Sequence, residues 1–172
     1  MSVPGASSPG TSPLSGSSSS SSGGRTITPT PAPGAVVTPT AIYHIIDVKA
    51  VEGAGHSAVI IPNGRGCTYY SYAGDGRVTV MNFNNIRDAL AAAKGARYTH
   101  EQHWRVSPYD AASARDAAAA YDRTEYNVAT HNCWNMVYDA LKAAGTNAEN
   151  YQQTPNLEFL RNSILADGES EL

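Results

Sequence analysis

The chain has 172 residues and splits sharply by composition. Residues 1–40 hold 11 Ser, 7 Pro, 6 Gly and 6 Thr, a single charge at Arg25 and no aromatic residue. Such a stretch cannot bury enough apolar surface to offset its ordering entropy, so it reads as a disordered tail or linker, with residues 41–172 as one folded domain. Without Arg25, the totals of 12 Lys+Arg and 15 Asp+Glu leave the domain near −4, which excludes the basic footprint of a nucleic-acid binder. No run of 18 apolar residues exists to span a membrane, and the start Met1-Ser2-Val3-Pro4-Gly5 has neither the cationic nor the apolar part of a secretory signal. The expectation is a protein made in the cytoplasm that leaves, if it leaves, by another route.

Along the domain, Ile42 to Val51 is rich in β-branched residues and predicts a strand. Glu52-Gly53-Ala54-Gly55 breaks it. His56 to Ile61 predicts a second strand, ended by Pro62-Asn63-Gly64, a strong turn signal. Cys67 to Tyr72 and Val78 to Phe83 supply two more arms, with Gly74-Asp75-Gly76 as the turn between them. Within the first of these arms, Tyr69, Tyr70 and Tyr72 are sheet packing residues, alternate members facing opposite sides.

The period then changes to that of a helix. Asn84 or Asn85 can cap one that runs to about Lys94. Ser107-Pro108-Tyr109-Asp110 is a helix-start signature, and the Ala-rich stretch after it predicts a helix to about Arg123. His131 or Asn132 can cap a third helix, Cys133 to Ala144, whose Trp134, Val137, Tyr138 and Leu141 share one face. Thr154-Pro155 starts a fourth, with Leu157, Leu160 and Ile164 expected inward. Strands first and helices after predict an α+β fold, an antiparallel meander with helices packed on one side.

Cys133 carries the most chemistry. The free N–H groups and positive pole of a helix start stabilise a thiolate, the nucleophile of cysteine catalysis. The competing reading is a small hydrophobe buried under Trp134. Of five histidines, His56 is best placed as a base, at a strand mouth between Gly55 and Ser57. His44 falls mid-strand, structural or exposed. His131 is two residues from Cys133 and poorly directed toward its thiol. His100-Glu101-Gln102-His103 lacks the i, i+4 spacing of the zinc-protease motif and a third ligand, so it is expected to form a surface loop with no metal. Cys67, beside Gly66, is expected to be a packing residue, with both cysteines free thiols.

Gly55-His56-Ser57-Ala58-Val59-Ile60 on a strand, Tyr126-Asn127 ahead of Asn132-Cys133-Trp134 opening a helix, then Ala140 to Gly145 and Thr154-Pro155, resemble the permuted papain-like cysteine hydrolases. These are relatives of the NlpC-type peptidases and of the lecithin:retinol acyltransferase-like proteins, in which the His strand precedes the Cys helix. The likeness spans about Ile42 to Leu165. It implies a papain-like fold in circularly permuted order, Cys133 as nucleophile and His56 as general base, with no cofactor. It also implies a third polar residue orienting the imidazole, for which Ser71 is the nearest candidate and Asp75 the next. The reaction implied is hydrolysis of amide bonds, first among them those of the peptidoglycan stem peptide. The alternatives are a protease, deamidase or acyltransferase acting on a host protein or lipid, or a catalytically dead binding module. A small cysteine hydrolase behind a low-complexity linker is similar to antibacterial effectors delivered to the periplasm by a type VI secretion machine. The partners implied are a carrier on that machine and a cognate immunity protein.

Overall fold

The computed structural model describes residues 40–172, and the low-complexity segment lies outside the described residues apart from Thr40. Thr40 itself opens the first strand, β1 (Thr40–Asp47). Next come β2 (His56–Pro62), β3 (Cys67–Tyr72) and β4 (Val78–Phe83). Helix α1 (Ile86–Gly95) leads to β5 (His100–Val106) and α2 (Pro108–Ala119). Helices α3 (Cys133–Ala143) and α4 (Pro155–Asn162) precede a short last strand, β6 (Gly168–Glu171).

The six strands form one antiparallel sheet in the order β4-β3-β2-β1-β5-β6. The fold is α+β and opens with the expected meander. The predicted separation of strands from helices fails, because β5 lies between α1 and α2 and β6 follows α4. β5 escaped the sequence reading because His100-Glu101-Gln102-His103-Trp104-Arg105-Val106 is mostly polar. It pairs with β1 from His100 to Val106, its own full length, and both its edges are occupied. Pairing, not hydrophobic period, makes it a strand. The first strand is also shorter than predicted. It stops at Asp47, and Val51–Gly53 forms a 3-10 turn with Val51 and Glu52 in the left-handed region.

Helices cover both faces of the sheet, not one. On one face Ile42, Val59, Ile61 and Tyr72 pack with Trp104 and with Ala111, Ala114, Val137 and Leu141 of α2 and α3. On the other, Ile45, Ala58, Ile60 and Tyr69 pack with Ala89 and Ala93 of α1. The alternation of β2 places odd positions toward α3 and even positions toward α1.

The caps follow the sequence. Asn85 accepts the Asp88 N–H, Ser107 and Asp110 form a reciprocal capping box, and Asn132 accepts the N–H groups of Trp134 and Asn135. α4 is rotated from its predicted face. Leu157, Leu160 and Ile164 are 46%, 67% and 86% exposed, whereas Glu158, Phe159 and Asn162 are buried. The cause is polar: the Glu158 carboxylate accepts the N–H groups of Tyr151 and Gln153, and Asn162 bridges Glu149 and Glu158. An otherwise unpaired loop is satisfied by α4, which fixes the helix's inward side.

Candidate active site

The pieces meet at the end of the sheet where β2 begins and β3 finishes. Gly55 lies in the left-handed region, at φ 92°, immediately before β2. A Cβ there would stand 2.2 Å from Asn156 Oδ1, so glycine is required both by conformation and by space. Asn156, in the first turn of α4, donates through Nδ2 to the carbonyls of Val48 and Gly53, and its own N–H donates to Ala54. The Thr154-Pro155 helix start therefore clamps the loop that delivers His56.

Cys133 is the first residue of α3 and is only 2% exposed. Its sulfur accepts the backbone N–H of Ser57 at 3.4 Å. That contact ties the α3 terminus to β2 across 76 positions of sequence. His56, the residue before, hangs from the same peptide. Its Nε2 is hydrogen-bonded to Ser71 Oγ at 2.9 Å, and its ring lies 6.1 Å from that of Tyr98. Ser71 pairs with Ala58 across β2–β3, so it shares the face to which His56 points.

Cys133 and His56 line one pocket of about 300 Å³. Its walls are mostly apolar: Val51, Ala54, Tyr126, Val128 and Pro155. No Lys, Arg, Asp or Glu is among its lining residues. The loop before α3 forms one wall and is held from both ends. Asn132 Nδ2 donates to the Val128 carbonyl at 2.7 Å, and Thr124 is held by the hydroxyl of Tyr72 and by His131 Nε2.

Burial pushes the Cys133 thiol up, while the Ser57 N–H, the Tyr126 hydroxyl and the N–H groups of Trp134 and Cys133 pull it down. Burial also pushes His56 down, opposed by the charge of Asp47. Both shifts favour the uncharged forms. The donors around the sulfur act once charge develops on it. Tyr126 is itself pushed up to about 12, by burial first and then by Cys133. Sequence reasoning named Tyr126 only as part of a motif and gave it no contact with the thiol. No local signal in the sequence links two residues through a loop closure.

The other expected residues fall elsewhere. Asp75 accepts the Arg77 N–H within its turn, and Ser71, not Asp75, meets His56. His131 stacks on Tyr121 with ring centroids 4.4 Å apart and bonds Thr124 through Nε2. His100 and His103 lie on β5 rather than in a surface loop. An odd separation on a strand sends their rings to opposite faces, so they cannot share an ion. His100 packs beside Phe159, and His103 bonds Glu101 and stacks near Tyr43. Cys67 and Cys133 are both free thiols in separate parts of the core. No helix among the described residues is long and apolar enough to cross a membrane.

Comparison of the chain with protein-family models, curated proteins and solved structures finds no match.

Proposed function

We propose that the domain is a cysteine hydrolase of the permuted papain-like kind, with Cys133 as nucleophile and His56 as general base. The observation that carries this reading is the contact of Ser57 N–H with Cys133 Sγ, which brings a helix-start cysteine and a strand-start histidine to one pocket. With Nε2–H donated to Ser71 Oγ, His56 keeps Nδ1 free as the base. On attack, Nδ1 takes the thiol proton while sulfur bonds the carbonyl carbon. The oxyanion faces the Cys133 N–H at the start of α3, since Asn132 holds the N–H groups of Trp134 and Asn135. The proton passes to the leaving amine, and water then releases the acyl group and regenerates the thiol.

The substrate we favour is an amide of the bacterial peptidoglycan stem peptide. The uncharged pocket lining favours bonds flanked by its alanines over bonds flanked by its carboxylates. Delivery by a secretion machine, with an immunity protein covering the pocket in the producing cell, completes this reading and rests on the low-complexity segment. A second reading, hydrolysis of a lipid ester, is favoured by the exposed side chains of Val51 and Val128 at the pocket and of Leu157 and Leu160 on the adjoining helix. Incubation of wild type and Cys133→Ala with purified muropeptides and with phospholipid vesicles separates the two. New amino termini released from muropeptides by wild type alone are expected. Release of fatty acid without peptide cleavage would overturn the cell-wall reading, and inertness toward both would overturn hydrolysis of either substrate.

A further inference from the structure

His44 sits on β1 outside the pocket and is wholly buried. Its ring is held between Trp134 and Phe159, with centroids 5.2 and 5.1 Å away. Its Nε2 makes a 2.9 Å hydrogen bond with Ser57 Oγ, also wholly buried. Its Nδ1 is buried with no partner among the described residues. A neutral imidazole carries one proton on two nitrogens, so whichever tautomer forms, a polar atom is left unsatisfied. An apolar residue of similar shape would avoid that cost. The imidazole is therefore poorly explained by packing, and the one polar contact it makes is to Ser57.

Ser57 is the hinge of the site. Its N–H contacts the Cys133 sulfur, and the peptide that carries this N–H also carries His56. Rotation of that peptide would move the donor from the thiol and the imidazole from Ser71 together. We propose that His44 is a positioning residue which, by holding Ser57 Oγ, fixes the 56–57 peptide and so aligns Cys133 with its N–H donor and with His56. The sequence gives no sign of this, because His44 and Ser57 are 13 positions apart on different strands and become neighbours through the β1–β2 register.

The proposal rests on the cysteine-hydrolase reading for its purpose but is tested on the thiol alone. The test measures the pH dependence of Cys133 alkylation by iodoacetamide in the full chain, read by peptide mass spectrometry, with Cys67 as internal reference. His44→Phe keeps the ring volume, Ser57→Ala removes one oxygen, and His44→Gln restores a polar group near the Nε2 position. His44→Phe and Ser57→Ala are each expected to slow alkylation of Cys133 at neutral pH about tenfold, the scale of one charge-assisted hydrogen bond. Both should move its profile to higher pH. The double variant should be no slower than either single one, and His44→Gln should recover most of the rate. Unchanged Cys133 profiles in Ser57→Ala and His44→Phe, with only a lower melting temperature, would overturn the proposal. So would additive losses. If His44→Phe does not fold, Ser57→Ala alone decides by the same criteria. If the alkylation effects are found but the wild type hydrolyses nothing, the positioning role stands and the hydrolase reading fails.

Discussion

The two cysteines make an internal comparison. Both are 2% exposed, both are free, and burial pushes both thiols up. They differ in what surrounds the sulfur. Cys67 opens β3 on the α1 face, its thiol aimed at the Asn85 carbonyl at 3.5 Å, and the charge of Asp88 pushes it further up. The carbonyl of Asn85 and the charge of Asp88 both oppose a thiolate. The hydrogen bonds that bear on the Cys133 sulfur come from donors: Ser57, Tyr126, Trp134 and its own N–H. Equal exposure to solvent therefore has opposite chemical meaning. One thiol is a hydrophobe that the fold keeps protonated. The other is a neutral group whose ionised form the fold is ready to hold.

The largest expected effect breaks the comparison outright. Cys133→Ala and His56→Ala should each lower turnover at least about 10³-fold on whichever amide the wild type cleaves. Single-turnover assay of muropeptide cleavage is the check. Loss of activity on substitution of Cys67 in place of Cys133 would reverse the assignment of the two thiols.

The next concerns acid. His44 is held down to about 3 from its ordinary value near 6.5, by burial alone. In the unfolded chain it binds a proton below about pH 6.5; in the folded chain it does not until about pH 3. Its contribution is therefore intact above pH 6.5 and is lost progressively as pH falls, reaching about 4–5 kcal/mol near pH 3. Urea unfolding of wild type and His44→Phe at pH 7 and pH 4.5 isolates the effect, since other titrating groups are common to both. The wild type should lose roughly 2–3 kcal/mol more than the variant between those values. Parallel loss in the two proteins would mean that His44 is protonated in the folded state. This sharpens the comparison, because the imidazole that sets the loss packs against Trp134, the neighbour of Cys133.

Ser71 comes third. It touches His56 and not the thiol, so under the proposed mechanism it orients the base. Ser71→Ala should lower kcat by about 10- to 100-fold, below the full worth of general-base catalysis, with KM little changed. The alkylation rate of Cys67 should not move. A variant as active as wild type would remove Ser71 from the machinery.

The meander and the helix start at Cys133 were legible because their signals are local. Turn residues at Asn63-Gly64 and Gly74-Asp75-Gly76 bound strands of high β propensity, and Asn132 before Cys133 marks a helix start. The hairpin fold about Asn63–Gly66 brought Ser71 into range of His56 as expected. What was illegible depends on distant partners. β5 is a strand because β1 and β6 flank it, despite its polar composition. α4 turns Glu158 inward, and Leu157 outward, because the loop at Tyr151–Gln153 needs an acceptor. Likewise His44 and Tyr126 owe their places to register and loop closure. Hydrophobic period reads which residues want to be dry and is silent on which buried polar groups will find partners.

The smallest effect expected is at the other thiol. Cys67 packs in the cluster of Ile45, Ala58, Ile60, Tyr69, Ala89 and Ala93, as a side chain of modest volume. Cys67→Ala removes one sulfur from that cluster, and its weak bond to Asn85 O is lost without stranding a strong acceptor, since carbonyls are often under-satisfied at little cost. A loss of about 1 kcal/mol is expected by urea unfolding, typical of a small core truncation. Turnover and the Cys133 alkylation profile should be unchanged, because the Cys67 thiol bonds the Asn85 carbonyl and not His56, Ser71 or Cys133. A change in either would show that the packing of Cys67 reaches His56 and Ser71, and the contrast between the two thiols would then have to be redrawn as one coupled system.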